Sequence, residues 1–294
     1  MSWLVVTPAY NEAERLPKLA ESLARQNVAV VGLWVVVDDG SSDSTATSLP
    51  GALPFPVHVL RRENSGGLVG ASDFAAFLYG ADEGLRRLPG ARRVMKLDAD
   101  IVLADDYFAA LVDVPDDVGL VAGELADIGV PVRAGHTRGA LKAYSRNMFD
   151  LVRALPVALG WDVMDEVAVR VAGLRVEVVA AARATSNRRT GASEGLLVGH
   201  RRAGVVSRWT GYAPIYFALR LARYAPRRPA VLGSIVMFWA WLTAGRGPYD
   251  ARLRAAKRAE QMAALRQALS LRAVGRFRRT APGSVAPEPP SQAA

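Results

Sequence analysis

The sequence predicts an α/β protein built on a mostly parallel, doubly wound sheet, and three observations predict it. Short apolar runs alternate with segments of helical period through the first third of the chain. Each early apolar run stops in polar or glycine-rich residues, as strands do when their carboxyl ends open on a ligand crevice. The sharpest of these stops is Val94-Met95-Lys96-Leu97-Asp98-Ala99-Asp100, with two carboxylates one residue apart. In extended backbone, residues i and i+2 point the same way, so Asp98 and Asp100 aim at one point. Two hard oxygen donors with no His or Cys nearby suit Mg2+ or Mn2+ bridging to phosphates.

Taken in order, Trp3-Leu4-Val5-Val6-Thr7 is the first buried strand, broken by Pro8 and followed by Ala9-Tyr10-Asn11-Glu12. Glu14 to Gln26 carries Leu16, Leu19, Ala20 and Leu23 at helical spacing. Val28 to Val37 is the second strand and stops at Asp38-Asp39-Gly40-Ser41-Ser42-Asp43. Val57 to Leu60 is a shorter third. The turn Asn64-Ser65-Gly66-Gly67 opens a helical stretch from Leu68 to Arg87, and Val94 to Leu97 is the fourth strand. Asp105 to Val112 reads as a short surface helix, Val118 to Glu124 and Gly139 to Tyr144 as further strands. From Gly160 to Gly173 the second half is helical with a Gly stop. Asp162, Asp165 and Glu166 therefore sit at a helix N-terminus, where acids also complement the helix dipole. No G-x-G-x-x-G follows the first strand and no P-loop is present, which disfavours a dinucleotide site.

Composition narrows the chemistry. With 294 residues, 51% hydrophobic and 22% charged, the chain is globular and long enough for a full core. The absence of Cys excludes disulfides, thiol nucleophiles and zinc-thiolate sites, and three His disfavour a multi-histidine metal centre. The N-terminus enters a strand directly, without a signal-peptide pattern, so a cytoplasmic location is expected. The net charge of +9 is uneven. Residues 1–200 hold 20 basic and 25 acidic side chains, a net of −5, whereas residues 201–294 hold 17 and 3, a net of +14. Such a basic third could meet nucleic acid or an anionic membrane surface.

Four segments together, Thr7-Pro8-Ala9-Tyr10-Asn11-Glu12, Val37-Asp38-Asp39-Gly40-Ser41-Ser42-Asp43, Glu63-Asn64-x-Gly66-Gly67 and Leu97-Asp98-Ala99-Asp100, resemble family 2 glycosyltransferases in order and spacing. The resemblance implies the GT-A fold over residues 1–225, and charge and composition add a helical, basic extension over 226–279 and a disordered tail over 280–294. It implies that Pro8, Ala9, Tyr10, Glu12 and Asp39 hold the base and ribose of a nucleotide. Asn64, Gly66, Lys96 and Asp98 would line the same pocket, and Asp98 and Asp100 would hold Mg2+ or Mn2+ on the diphosphate. Relatives often carry an Arg-Asn pair where this chain has Ser72-Asp73, so an arginine contact to phosphate must come from elsewhere. Gly160-Trp161-Asp162-Val163-Met164-Asp165-Glu166 resembles the family's acidic acceptor motif. One of its carboxylates would be the general base, in the order Asp165, Glu166, Asp162. Trp161, which suits a core equally well, and Arg138 would face the acceptor. Asn187 stands where relatives often have a metal-binding His. His200, the only His downstream, is the candidate for that role, and Arg188 and Arg189 suit a diphosphate clamp.

In the basic third, Pro229 to Gly245 is 17 residues without a charge, flanked by Arg223, Arg227, Arg228 and Arg246. This falls short of the roughly 20 apolar residues of a spanning helix. Trp239 and Trp241 suit an interfacial helix, or one packed on the catalytic domain. Arg252 to Arg272 is a basic helix with an apolar seam. The expectation is an inverting, metal-dependent glycosyltransferase. It would move sugar from a UDP-, GDP- or dTDP-linked donor to a saccharide or lipid-linked acceptor, as in bacterial cell-surface polysaccharide or glycolipid synthesis. The basic third would rest on the inner face of the cytoplasmic membrane. The alternatives are a sugar nucleotidyltransferase, a non-catalytic nucleotide-sugar-binding protein, and a nucleic-acid-binding protein. The last leaves the acidic crevice unexplained, since carboxylates repel phosphate, so no nucleic-acid partner is expected.

Overall fold

The computed structural model describes residues 2–64, 69–127, 137–187, 196–226 and 229–280. Its core is an eight-stranded sheet in the order β3-β2-β1-β4-β7-β6-β8-β5. Strands β1 (Trp3–Ala9), β2 (Val31–Asp38), β3 (Val57–Arg61) and β4 (Arg93–Leu97) are mutually parallel. Strands β1, β2 and β4 are predominantly apolar because both of their faces are covered. Trp3, Val5, Trp34, Val36 and Met95 pack on one side with Leu16, Leu19 and Leu23 of α1 (Leu16–Ala24). Leu4, Val6, Val35, Val37 and Val94 pack on the other with Phe74 and Phe77 of α2 (Val69–Arg87).

Beyond β4 the sheet becomes mixed. Strand β7 (Leu141–Ser145) runs antiparallel to both β4 and β6 (Val118–Asp127). Strand β8 (Arg175–Ser186) lies parallel to β6 and ends antiparallel to β5 (Ile101–Leu103). The parallel expectation therefore holds for the half where strands alternate with helices. The sequence reading missed β5 and β8. It also placed a surface helix over Asp105 to Val112, where the structure has successive turns with Tyr107, Phe108 and Leu111 buried. Those three side chains fill the core on the α1 face, so tertiary burial rather than helix formation explains their apolar spacing.

Helices α3 (Arg146–Val152) and α4 (Trp161–Val171) cover the α2 face of the sheet. Four more follow: α5 (Leu196–Trp209), α6 (Pro214–Tyr224), α7 (Leu232–Thr243) and α8 (Ala251–Thr280). The helical layer begins at α5, which packs closely on α7. A Cβ at Gly204 would stand 2.2 Å from the Met237 carbonyl oxygen, so only glycine permits that approach. Helix α8 lies against α4. The Tyr249 hydroxyl, just before it, donates to the carbonyls of Ala158 and Leu159, and Glu260 pairs with Arg170. Among the described residues, no helix is long and apolar enough to cross a membrane. Residues 281–294, expected as a tail, lie outside the described residues, while Thr280 is the last residue of α8.

Candidate active site

The carboxyl ends of β1 and β2 are tied together by short-range polar contacts. Asn11 adopts a left-handed φ of 55°, which Asn tolerates better than most residues. Its Oδ1 accepts the Ser42 N–H at 2.9 Å, and its own N–H donates to Ser41 Oγ at 3.0 Å. The Glu12 N–H donates to Thr45 Oγ1. This turn leaves Tyr10 exposed and Pro8, Ala9 and Glu12 buried. Asp39 is buried beside it. Its carboxylate accepts from Ser72 Oγ at 2.7 Å and pairs with Arg62 Nε at 2.8 Å. Ser72 also reaches Asn64, so β2, the Asn64 turn and α2 meet at one point. Gly66 lies outside the described residues, as do Arg188 and Arg189.

Asp98 and Asp100 follow β4, each partly exposed, with Ala99 buried between them. The Asp98 N–H donates to the Ala140 carbonyl, which brings Arg138 and Gly139 alongside. The Asp100 carbonyl accepts the Asn187 N–H at 2.9 Å, and Ser186 Oγ reaches Asp100 Oδ2. The structure thus sets Asn187, where relatives often have a His, directly beside Asp100. Two partly open carboxylates fit a hard divalent cation that keeps waters and takes substrate oxygens. Among the described residues, no cluster of three Asp, Glu, His or Cys forms there. His200 is not in this group. Its ring packs edge-on against Tyr224 of α6 and abuts Gly233 of α7.

The pairing of two lysines at the centre of the site was not anticipated. Lys96 and Lys142 face each other across the β4–β7 pair on the α2 face, both fully buried. Like charges directly opposite are destabilising unless compensated. Each lysine has its own acids. Lys96 Nζ pairs with Asp73 at 3.0 Å and with Asp98. Lys142 Nζ donates to both Asp165 oxygens at 2.8 and 2.7 Å and to the Asp162 carbonyl at 2.6 Å. Both ammonium groups lie over the Trp161 ring, Lys96 Nζ 5.6 Å and Lys142 Nζ 5.7 Å from its centroid. Trp161 stacks on Phe74 at 4.5 Å and its Nε1–H donates to the Gly70 carbonyl. It is 4% exposed and packs in the core.

The three acids of α4 differ in access. Asp165 is fully buried and also accepts the Tyr144 hydroxyl at 2.6 Å. Burial raises its pKa to about 6, against the opposing pull of Lys142 and Tyr144. Glu166 is held by Thr137 and Arg170. Burial pushes its carboxyl upward, but Lys142, Thr137 and Arg170 outweigh it and leave the pKa lowered. Asp162, in the first turn, is only partly buried and lies against Gly139, 3.5 Å from where a Cβ there would stand. Gly160 starts the helix at φ 87°, and a Cβ on it would meet Thr210 at 2.8 Å. Arg202 of α5 approaches Gly70 at the start of α2.

Asp73 gives the site a pH signature. Burial raises its pKa to about 7 from 3.8, while Lys96 opposes the shift and Asp98 and Asp162 add to it. The folded state thus holds a proton that the unfolded chain releases near 3.8, so this group's stabilising contribution is lost as pH rises through about 7. Asp73→Asn is expected to flatten the slope of unfolding free energy against pH across that window, measured by urea denaturation. An unchanged slope would place the titration elsewhere.

A sheet whose strand ends gather carboxylates over a partly open pair of metal-competent acids, with an acidic helix start beside it, is the architecture of GT-A glycosyltransferases. The chain belongs to glycosyl transferase family 2, whose model matches residues 4–152. Its fold is similar to that of the mannosyltransferase PcManGT from Pyrobaculum calidifontis in complex with GDP-Man and Mn2+. The two share 18% identity and a TM-score of 0.51 over 91% of this chain and 80% of that one. It is also similar to residues 1–349 of S. aureus TarS in complex with UDP-GlcNAc, at 17% identity and a TM-score of 0.50 over 70% and 66% of the two chains. No curated protein matches the chain in sequence.

Proposed function

We propose that this protein transfers a sugar from a nucleotide-diphospho-sugar to an acceptor hydroxyl with inversion at the anomeric carbon. The observation that carries the reading is that Asp39 after β2 and Asp98 and Asp100 after β4 stand at the carboxyl ends of parallel strands, with Asp162 beside Gly139 next to the Asp98–Ala140 contact. The exposed Tyr10 and the Asp39 carboxylate hold the base and ribose. Asp98 and Asp100 hold Mg2+ or Mn2+, which supplies charge neutralisation to the departing nucleoside diphosphate. Lys96 keeps Asp98 aimed into the crevice. Arg202, arriving from α5 beside Gly70, is the arginine we assign to the diphosphate in place of one on α2.

Asp162 is the base in this reading, ahead of Asp165 and Glu166. It has access to the crevice, whereas Asp165 is occupied by Lys142 and Tyr144, and Glu166 by Thr137 and Arg170. The acceptor O–H gives its proton to the Asp162 carboxylate as the oxygen attacks the anomeric carbon. The bond from that carbon to the diphosphate breaks, and the diphosphate leaves with the electron pair. No enzyme nucleophile is required. Arg138 and Gly139 border the acceptor side, and the acceptor is a saccharide or lipid-linked hydroxyl compound of the bacterial cell surface.

Calorimetric titration with UDP, GDP and dTDP, each with and without Mn2+, tests the donor half. One nucleotide is expected to bind in a metal-dependent manner, and Asp100→Ala to weaken that binding at least tenfold. Binding that ignores both metal and the substitution would remove Asp98 and Asp100 from the donor site.

A further inference from the structure

Helix α7 is apolar on every side. Gly233, Met237 and Ala240 form its buried face toward α5. On the opposite side Leu232, Ile235, Trp239 and Leu242 recur at three- and four-residue spacing, 49%, 57%, 64% and 52% exposed. Phe238 flanks them, and Ile215 and Leu219 of neighbouring α6 are half exposed as well. A helix hydrophobic all round is ordinarily buried in a core or in lipid. At 12 residues α7 rises about 18 Å, well short of the ~30 Å hydrocarbon layer. Such a helix lies in a membrane interface rather than across it.

The charge around this face selects its partner. Residues 196–249 contain eight Arg and no Asp or Glu. Beside α7 opens a cavity of about 470 Å³ lined by Arg201, Ile235, Val236, Trp239, Ala240 and Thr243, one guanidinium among mostly apolar side chains. Among the described residues no carboxylate pairs with Arg201. An anionic phospholipid matches both parts, its phosphate on Arg201 and its acyl chain along Ile235 and Trp239. A second copy of this chain docking face to face would bring arginine against arginine. Nucleic acid would leave Leu232, Ile235 and Leu242 without a role.

We propose that the exposed face of α7, with α6 and Arg201, is a docking surface for the anionic lipid bilayer, with Trp239 at the headgroup level. The test is co-sedimentation of the full chain with vesicles of phosphatidylcholine alone or mixed with phosphatidylglycerol. Binding is expected to be at least tenfold tighter to the anionic vesicles and to weaken with salt. Ile235→Glu/Trp239→Glu is expected to lose at least tenfold of it. Leu269→Glu, on an equally exposed leucine of α8, is expected to change nothing. Circular dichroism monitors folding. Should the double variant unfold, Trp239→Phe, which keeps the apolar surface, should lose the quenching of tryptophan emission by brominated lipid. Equal binding to neutral vesicles, no binding, or binding untouched by the α7 variants overturns the proposal. So does self-association without lipid that the double variant abolishes, or retention on an oligonucleotide in place of vesicles.

Discussion

Asp162→Asn is expected to lower kcat by roughly 100- to 10,000-fold, the range for loss of a positioned general base. Affinity for the nucleotide should stay within about twofold, because the donor contacts lie on the other strands. The amide is nearly isosteric, and the interaction that anchors this residue, Lys142 to its backbone carbonyl, survives the change. Only dipole complementarity in the first helical turn is lost, about 0.3–1 kcal/mol. The measurement is release of nucleoside diphosphate from the sugar nucleotide identified by calorimetry, with acceptor present. Asp165→Asn is the decisive comparison. In this geometry it damages stability first, and molecules that remain folded should retain far more activity than Asp162→Asn. If Asp165→Asn is the inactive variant while folded, and Asp162→Asn turns over normally, the base has been misassigned.

The polar turns at the ends of β2 and β4 were legible because their signals are local. A fully buried parallel strand is apolar at every position, and its carboxyl end is marked by the first residues that must meet solvent or ligand. Asp38-Asp39-Gly40 and Asp98-Ala99-Asp100 announce themselves in this way. The depth of each acid on α4 was not, because helix phase and strand register are non-local. Asp162, Asp165 and Glu166 stand at i, i+3 and i+4 and share one face of α4. How deep each lies depends on β7 running antiparallel beneath them, which no local pattern specifies. A clue was present in Lys96 and Lys142, each inside an otherwise apolar run, since lysine is almost never fully buried unless paired. That they oppose each other follows only from the β4–β7 register. The surroundings of His200 were hidden for a related reason. Its helix turns that side chain toward α6 and α7, and sequence position alone cannot tell the crevice side of a helix from the packed side.

The Lys142–Asp165 pair carries the largest expected effect on stability. Both side chains are completely buried, and the lysine is bound by both carboxylate oxygens and the Asp162 carbonyl. Removing one partner of a buried pair leaves the other uncompensated and costs about 3–5 kcal/mol, whereas replacing both with apolar groups is often neutral. Asp165→Asn and Lys142→Met are each expected to destabilise in that range by urea unfolding, and Lys142→Met/Asp165→Leu to recover most of the loss. The singles should differ in pH dependence. Asp165 already has a pKa of about 6 with the lysine present, and without it the carboxyl is raised further and is neutral in mildly acidic solution. The cost of Lys142→Met should therefore be smallest and nearly constant below about pH 6 and grow as pH rises above it. Strictly additive losses, with the double variant as unstable as the two singles combined, would show that the pair is not coupled. Recovery of stability without recovery of kcat would show what the pair is for: through the Asp162 carbonyl, Lys142 fixes the first turn of α4 and so the position of the base.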